Sequence, residues 1–201
     1  MTPEEFGVAT SVSRETLDRF RLYASLLTRW RRAVNLIGKS TAADIWERHF
    51  LDSAQLLSHL AEKPGLIDLG SGAGFPGAVL AVLGAKDVHL VESDSRKCAF
   101  LRELDRQLGL GMTIHEVRID HLTPWKAQSL TSRALAPLPK LLDMAEEFLG
   151  PETVCLFPKG ETAEGELTEA GKGWNMTASR LASRTSPTSV ILRLTRVERK
   201  K

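Results

Sequence analysis

The segment Ile67-Asp68-Leu69-Gly70-Ser71-Gly72-Ala73-Gly74-Phe75-Pro76-Gly77 constrains this chain more than any other. An apolar strand runs into three glycines at alternate positions and then into a helix, with Pro76 well placed for its first turn. Glycines at such a junction let the backbone turn tightly and let a ligand approach main-chain N–H groups. An ordinary strand-to-helix turn needs fewer of them, so Gly70, Gly72 and Gly74 read as a ligand cradle. Gly72 to Gly77 also satisfies G-x-G-x-x-G, which keeps a dinucleotide open. Two features weigh against it: the triplet begins two residues after the strand ends at Gly70, and an acid, Asp68, precedes the first glycine. A pyrophosphate gains nothing from an acid there. S-adenosylmethionine (AdoMet) has no phosphate and carries a sulfonium and an ammonium. Asp68 suits that ligand, either by holding its cationic end or by fixing the loop.

Around this segment, short apolar runs alternate with helical stretches. The runs are Leu66–Leu69, Val88–Val91, Met112–Val117, Ser129–Ala134 and Thr153–Phe157. Between them Pro76–Leu83, Ser95–Leu108, Leu138–Leu149 and Glu161–Lys172 carry helical apolar spacing. Such alternation implies a mainly parallel sheet with helices on both faces. Asn175–Ala182 and Ser189–Arg196 are strand-like but lie only a short Arg-Thr-Ser-Pro linker apart. That length permits a hairpin and no helical crossover, so the last strand is expected to run antiparallel. The fold class is therefore α/β, a Rossmann-like class I AdoMet-dependent methyltransferase sheet of seven strands, by analogy of architecture. Residues 63–201 form this domain and residues 1–62 a helical extension packed on it. In the extension Leu17, Phe20, Tyr23, Leu27, Trp30 and Val34 lay one apolar stripe on a helix with Ser13 as N-cap. A second helix is expected from about Ala43 to Leu60.

The second strand ends at Val91-Glu92, 22 residues after Gly70. A carboxylate at that tip accepts both ribose hydroxyls in nucleotide-binding sheets. After the third strand, Ile119 and Asp120 can read the adenine edge, Asp120 equally being a helix cap.

A net charge of +2 conceals an uneven distribution. Arg14 to Lys39 carries +5 and Arg180 to Lys201 carries +6, around a middle of −7. Basic ends suggest contact with a polyanion, against the plainer reading of solvated helix faces. The longest apolar stretch, Ala78 to Leu83, is far short of the roughly 20 residues of a membrane span. The N-terminus lacks a signal-peptide core. Cys98 and Cys155 match no redox or metal spacing, and the five histidines are scattered, so no metal is expected. The chain reads as cytoplasmic and monomeric, without membrane contact.

Several of these segments together resemble the RsmG (GidB) family of small-subunit ribosomal RNA methyltransferases. They are Asn35-Leu36-Ile37, Arg48-His49-Phe50-Leu51-Asp52-Ser53, Asp68 to Gly77, Ser132-Arg133-Ala134 and Lys159-Gly160, in the family's order from about Asn35 to Gly160. The resemblance implies AdoMet as donor and N7 of guanine 527 in 16S rRNA as acceptor, with 16S rRNA or the small ribosomal subunit as partner. By position, Gly70 and Phe75 would line the cofactor, Ile119 and Asp120 its adenine, and Arg133 the active site. Gln128 stands where the family pattern has an acid, and Thr188-Ser189 where it often has a basic residue.

Guanine N7 offers a lone pair and no proton, so its methylation needs alignment and water exclusion rather than a general base. Arginine normally reads guanine through O6 and N7 together. Arg133 and Lys159 must here donate to O6 or phosphate and leave N7 free. His49 and Asp52, at i and i+3, share one helix face and either shape the target pocket or make a packing hydrogen bond. Trp46, Trp125 and Trp174 can stack on a base but are read first as core or rim. Two other functions stay open: a nicotinamide-dependent oxidoreductase, and a non-catalytic RNA-binding ribosome assembly factor.

Overall fold

The computed structural model describes residues 1–38 and 44–200. Two N-terminal helices, α1 (Pro3–Thr10) and α2 (Arg14–Trp30), precede the sheet. Ser13 caps α2 as its position suggested, accepting from the Thr16 N–H at 3.2 Å. The expected helix from Ala43 to Leu60 is replaced by three short pieces: a π-helical turn Trp46–Leu51, α3 (Asp52–Ala54) and a 3-10 turn Leu57–His59. Ala43, like Lys39, lies outside the described residues. The break has a local cause. The Asp52 N–H reaches back five residues to the Glu47 carbonyl, which leaves the Arg48 carbonyl without its usual helical donor.

The strands are β1 (Leu66–Leu69), β2 (Val88–Glu92), β3 (Thr113–Glu116), β4 (Ser129–Thr131), β5 (Val154–Lys159), β6 (Trp174–Ala182) and β7 (Val190–Arg199). They form one sheet in the order β3-β2-β1-β4-β5-β7-β6. β1 to β5 pair in parallel, β7 runs antiparallel to β5, and β6 pairs antiparallel with β7. The hairpin closes the sheet as its short linker requires. Helices α4 (Gly77–Val82), α5 (Ser95–Leu108), α6 (Leu138–Ala145) and α7 (Ala163–Gly173) connect the strands. β4 is shorter than expected because the chain turns away at Ser132, whose hydroxyl donates to the Leu69 carbonyl at 2.8 Å.

Alternation along the strands sends successive side chains to opposite faces. Leu66, Leu90 and Leu156 join Phe6, Phe20, Tyr23 and Phe50 in one core, so the N-terminal helices share a core with the sheet. Ile67, Val91, Leu130 and Phe157 pack under α6 and α7 in the other. The tryptophans belong to these layers. Trp46 lies 5.1 Å from Phe50 and Trp125 5.7 Å from Phe148, and Trp174 is buried beneath the Arg199 guanidinium.

Candidate functional site

At the tips of β1 and β2 the glycine turn is held from below by the sheet. Gly70 and Ser71 donate to the Val91 carbonyl at 2.9 and 3.1 Å, and Gly74 and Phe75 close back onto the Ser71 carbonyl at 2.7 and 3.1 Å. Asp68 is fully buried. One carboxylate oxygen accepts from the Thr131 hydroxyl at 2.8 Å and the other from the Gly77 N–H at 3.1 Å. Of the two roles open to it, this geometry is that of fixing the loop. Burial pushes its pKa up to about 6, against the lowering effect of those hydrogen bonds. From the N-terminal side, the Tyr23 hydroxyl donates to the Ala73 carbonyl at 2.5 Å, and its ring stacks on Phe75 at 5.7 Å. Glu92 occupies the β2 tip. Its carboxylate accepts from the N–H groups of Gly72 at 3.0 Å and of Ser93 and Asp94 at 2.8 Å each. Three of its roughly four lone-pair sites are thus used.

Gly72 holds a left-handed φ of +58°, and a Cβ built there would meet nothing closer than the Gly70 carbonyl at 3.9 Å. The turn therefore leaves open space where a ligand can lie on its main chain. Ile119 begins a 3-10 turn after β3, Ile119–His121, beyond Val117, whose N–H donates to the Glu92 carbonyl at 3.0 Å. Asp120 in that turn is exposed and paired with Arg118 at 3.1 Å.

On the other side of Phe75 the structure gathers residues far apart in sequence. Arg133, just past β4, donates through Nη2 to His49 Nδ1 at 2.7 Å. Through Nη1 it donates to the Arg48 carbonyl at 2.9 Å and to Asp52 at 3.2 Å. The Arg48 carbonyl is the one that the π-helical turn set free. The Arg133 guanidinium lies 4.9 Å from the Phe75 ring centroid, and His49 stacks on that ring at 4.8 Å. Burial, reinforced by Arg133 and Arg48, lowers the His49 pKa to about 4. A neutral ring whose Nδ1 accepts must carry its proton on Nε2. That nitrogen is buried with no partner among the described residues.

Arg133 and Asp52 line a concavity of about 480 Å³ together with Leu135, Lys159, Glu166 and Ser183. Lys159 donates to the Ala136 carbonyl and pairs with Glu166, each at 2.8 Å. Burial raises the Glu166 pKa, but hydrogen bonds from Lys159, Thr162 and the Leu138 N–H outweigh it and hold the carboxyl below its usual range.

All four residues expected to do the chemistry (His49, Asp52, Arg133, Lys159) thus border or adjoin one concavity, and Phe75 joins it to the glycine turn. Sequence reasoning missed Tyr23 and Thr131 as holders of that turn. Tyr23 was legible only as one more apolar position on α2.

The model of the family described as rRNA small subunit methyltransferase G matches residues 16–189. A relative from Paramagnetospirillum magneticum, named ribosomal RNA small subunit methyltransferase G, is 54% identical over 99% of this chain and 98% of its own length. One of the same name from Rhodospirillum rubrum is 48% identical over 99% of this chain and all of its own. Among solved structures, the glycopeptide N-methyltransferase MtfA complexed with AdoMet superposes with a TM-score of 0.60 at 10% identity, covering 73% of this chain and 93% of that one. At that identity the likeness concerns the fold alone. On the extent of the family match and the closeness of these relatives, the chain belongs to the rRNA small subunit methyltransferase G family.

Proposed function

We propose that this protein transfers a methyl group from AdoMet to 16S rRNA of the small ribosomal subunit, at N7 of guanine 527. The observation that carries this reading is the junction at Phe75. One face of the site is an open glycine turn suited to a nucleoside, and the other is an arginine held by three partners over a concavity. AdoMet supplies an electrophilic methyl group on sulfur. Glu92 has acceptor capacity left for a ribose hydroxyl, the Gly72 main chain is open to the ligand, and Ile119 and Asp120 stand at the next strand tip for adenine. Asp68 acts one step back, by holding Gly77 and with it the curvature of the turn.

No residue need remove a proton. This fits a His49 whose low pKa makes it a poor base near neutrality. Three of the five Arg133 N–H donors are engaged, and Nε–H and one Nη2–H are left for guanine O6 or phosphate. Lys159 likewise keeps one of its three.

The rRNA docks on the N-terminal basic end. Arg29, Arg31 and Arg32 of that end, and Arg48 beyond it, are exposed with no acidic partner within 4 Å among the described residues. At the C-terminal end Arg180 pairs with Glu164, Arg199 with Asp143 and Glu146, and Lys200 with the Gly171 carbonyl, which leaves Arg196 exposed without an acidic partner among the described residues. The protein works as a cytoplasmic monomer. No described helix is long and apolar enough to cross a membrane.

Mass spectrometry of rRNA from cells with and without the gene tests the reading. Loss of N7-methylguanosine at that position is the expected result. An unchanged level removes the catalytic assignment and returns the chain to an RNA-binding assembly role.

A further inference from the structure

Asp52 is the point where three parts of the chain meet. One of its carboxylate oxygens takes Arg133. The other accepts from the Thr185 hydroxyl at 2.9 Å and from the Gln55 side-chain amide at 3.1 Å. Thr185 lies in the turn between β6 and β7, 133 residues away. Gln55 is buried and grips the same turn a second time, its carbonyl accepting the Arg184 N–H at 2.8 Å. Ser183 completes the junction, its hydroxyl 3.0 Å from that of Thr185 and accepting the Thr185 N–H at 3.2 Å.

We infer that the β6–β7 turn aims the Arg133 guanidinium through Asp52, and that Thr185 and Gln55 are positioning residues for methyl transfer. The physical ground is rotational. A carboxylate bonded on one oxygen only is free to turn about its last torsion, whose well is broad. Two donors on the opposite oxygen fix that torsion and so fix where Nη1 of Arg133 must lie. Nη2 is already tied to His49 and Nη1 also to the Arg48 carbonyl, so Asp52 is the side-chain acceptor that completes the setting of the guanidinium plane. That plane decides where the two uncommitted N–H groups point. In a reaction that relies on alignment and uses no base, their direction bears on the rate more than their charge does. The inference rests on the methyltransferase reading above for the role of Arg133. The linkage itself is a property of the fold.

Thr185→Val removes the hydroxyl while keeping the shape, and Thr185 is only partly buried, so the fold should hold. With saturating RNA and AdoMet, Thr185→Val is expected to lower kcat roughly tenfold, on the scale by which small misplacements slow aligned reactions. The Kd for AdoMet and the Tm should stay where they are, and Thr185→Ser should recover most of the rate. In an Asp52→Asn background the Thr185→Val change should add little, because the path it acts through is already altered. An unchanged kcat in Thr185→Val, or an equal loss in both backgrounds, overturns the inference. The nitrogen-15 shift of His49 Nδ1, which reports the Arg133 hydrogen bond, gives a readout independent of turnover. It should move in Thr185→Val and not in Thr185→Ser. Absence of methyl transfer by the unaltered protein would sink the functional reading alone, and the His49 shift would still decide the linkage.

Discussion

The two halves of the glycine turn use the same residue for opposite reasons. At Gly74 and Gly77 the protein itself fills the space a side chain would take. A Cβ on Gly74 would come within 2.5 Å of the Tyr23 hydroxyl and 2.7 Å of the Ala78 Cβ. One on Gly77 would collide with Leu90 and lie 2.7 Å from the Asp68 Cβ. At Gly72 a Cβ would point into open space. The rear half of the turn is therefore a packing device, and in the front half Gly70 is hemmed in by Leu135 at 2.7 Å while Gly72 alone stays open to a ligand. A pattern such as G-x-G-x-x-G records small residues without recording what comes close to them. This is why the motif alone left both a dinucleotide and AdoMet in play.

The largest effect that sharpens this contrast is expected at Gly77→Val. Overpacking a buried junction against Leu90 and Asp68 should cost at least about 1–3 kcal/mol, read as a lower midpoint in urea. A midpoint equal to that of the parent would mean the rear half is not packed as described. Next comes Gly72→Val. The left-handed backbone there costs a residue with a Cβ on the order of 1–2 kcal/mol, so circular dichroism should still report a folded chain. AdoMet binding by calorimetry should vanish, because the new side chain occupies the ligand's place. Micromolar binding in Gly72→Val would break the comparison, since both halves would then be structural.

The smallest effect is one of pH, and it lies in the rear half and its neighbour. The Asp68 pKa is raised by burial to about 6, above its unfolded value near 3.8. The folded chain therefore binds more protons between those limits, and Asp68 makes stability fall as pH rises through that window. His49 is depressed to about 4 from 6.5. There the unfolded chain takes the proton first, and stability rises with pH across an overlapping window. The two slopes oppose each other. Asp68→Asn should remove the falling one, so that urea midpoints climb more steeply from pH 4.5 to pH 6 than in the parent. An unaltered slope would show that Asp68 titrates as it does in the unfolded chain.

Local pattern was enough for much of the sheet. Apolar runs bounded by polar turns marked β1 and β2, and a linker too short for a helical crossover dictated the antiparallel hairpin. The stretch after Trp46 was misjudged because its hydrophobic spacing fits a regular helix. The π-helical turn that breaks it frees the Arg48 carbonyl for Arg133, 85 residues away in the chain, a contact that local spacing does not encode. The same holds for the site. Glu92 follows from its place at a strand tip, whereas Arg133 was legible through family resemblance and not through local chemistry. Gln55 and Thr185 carried no signal at all, since ordinary polar residues near a helix end or a turn mostly bond to water.

Tyr23 sits on the second helix, yet its hydroxyl terminates on a carbonyl inside the ligand turn. His49 and Asp52 also come from the stretch before the first strand. A fragment trimmed to residue 63 onward would keep all seven strands and lose the groups that brace the turn and face the guanidinium. The smallest piece of this chain able to seat a nucleoside and present an arginine over it must therefore begin ahead of the sheet, within α2 or before it.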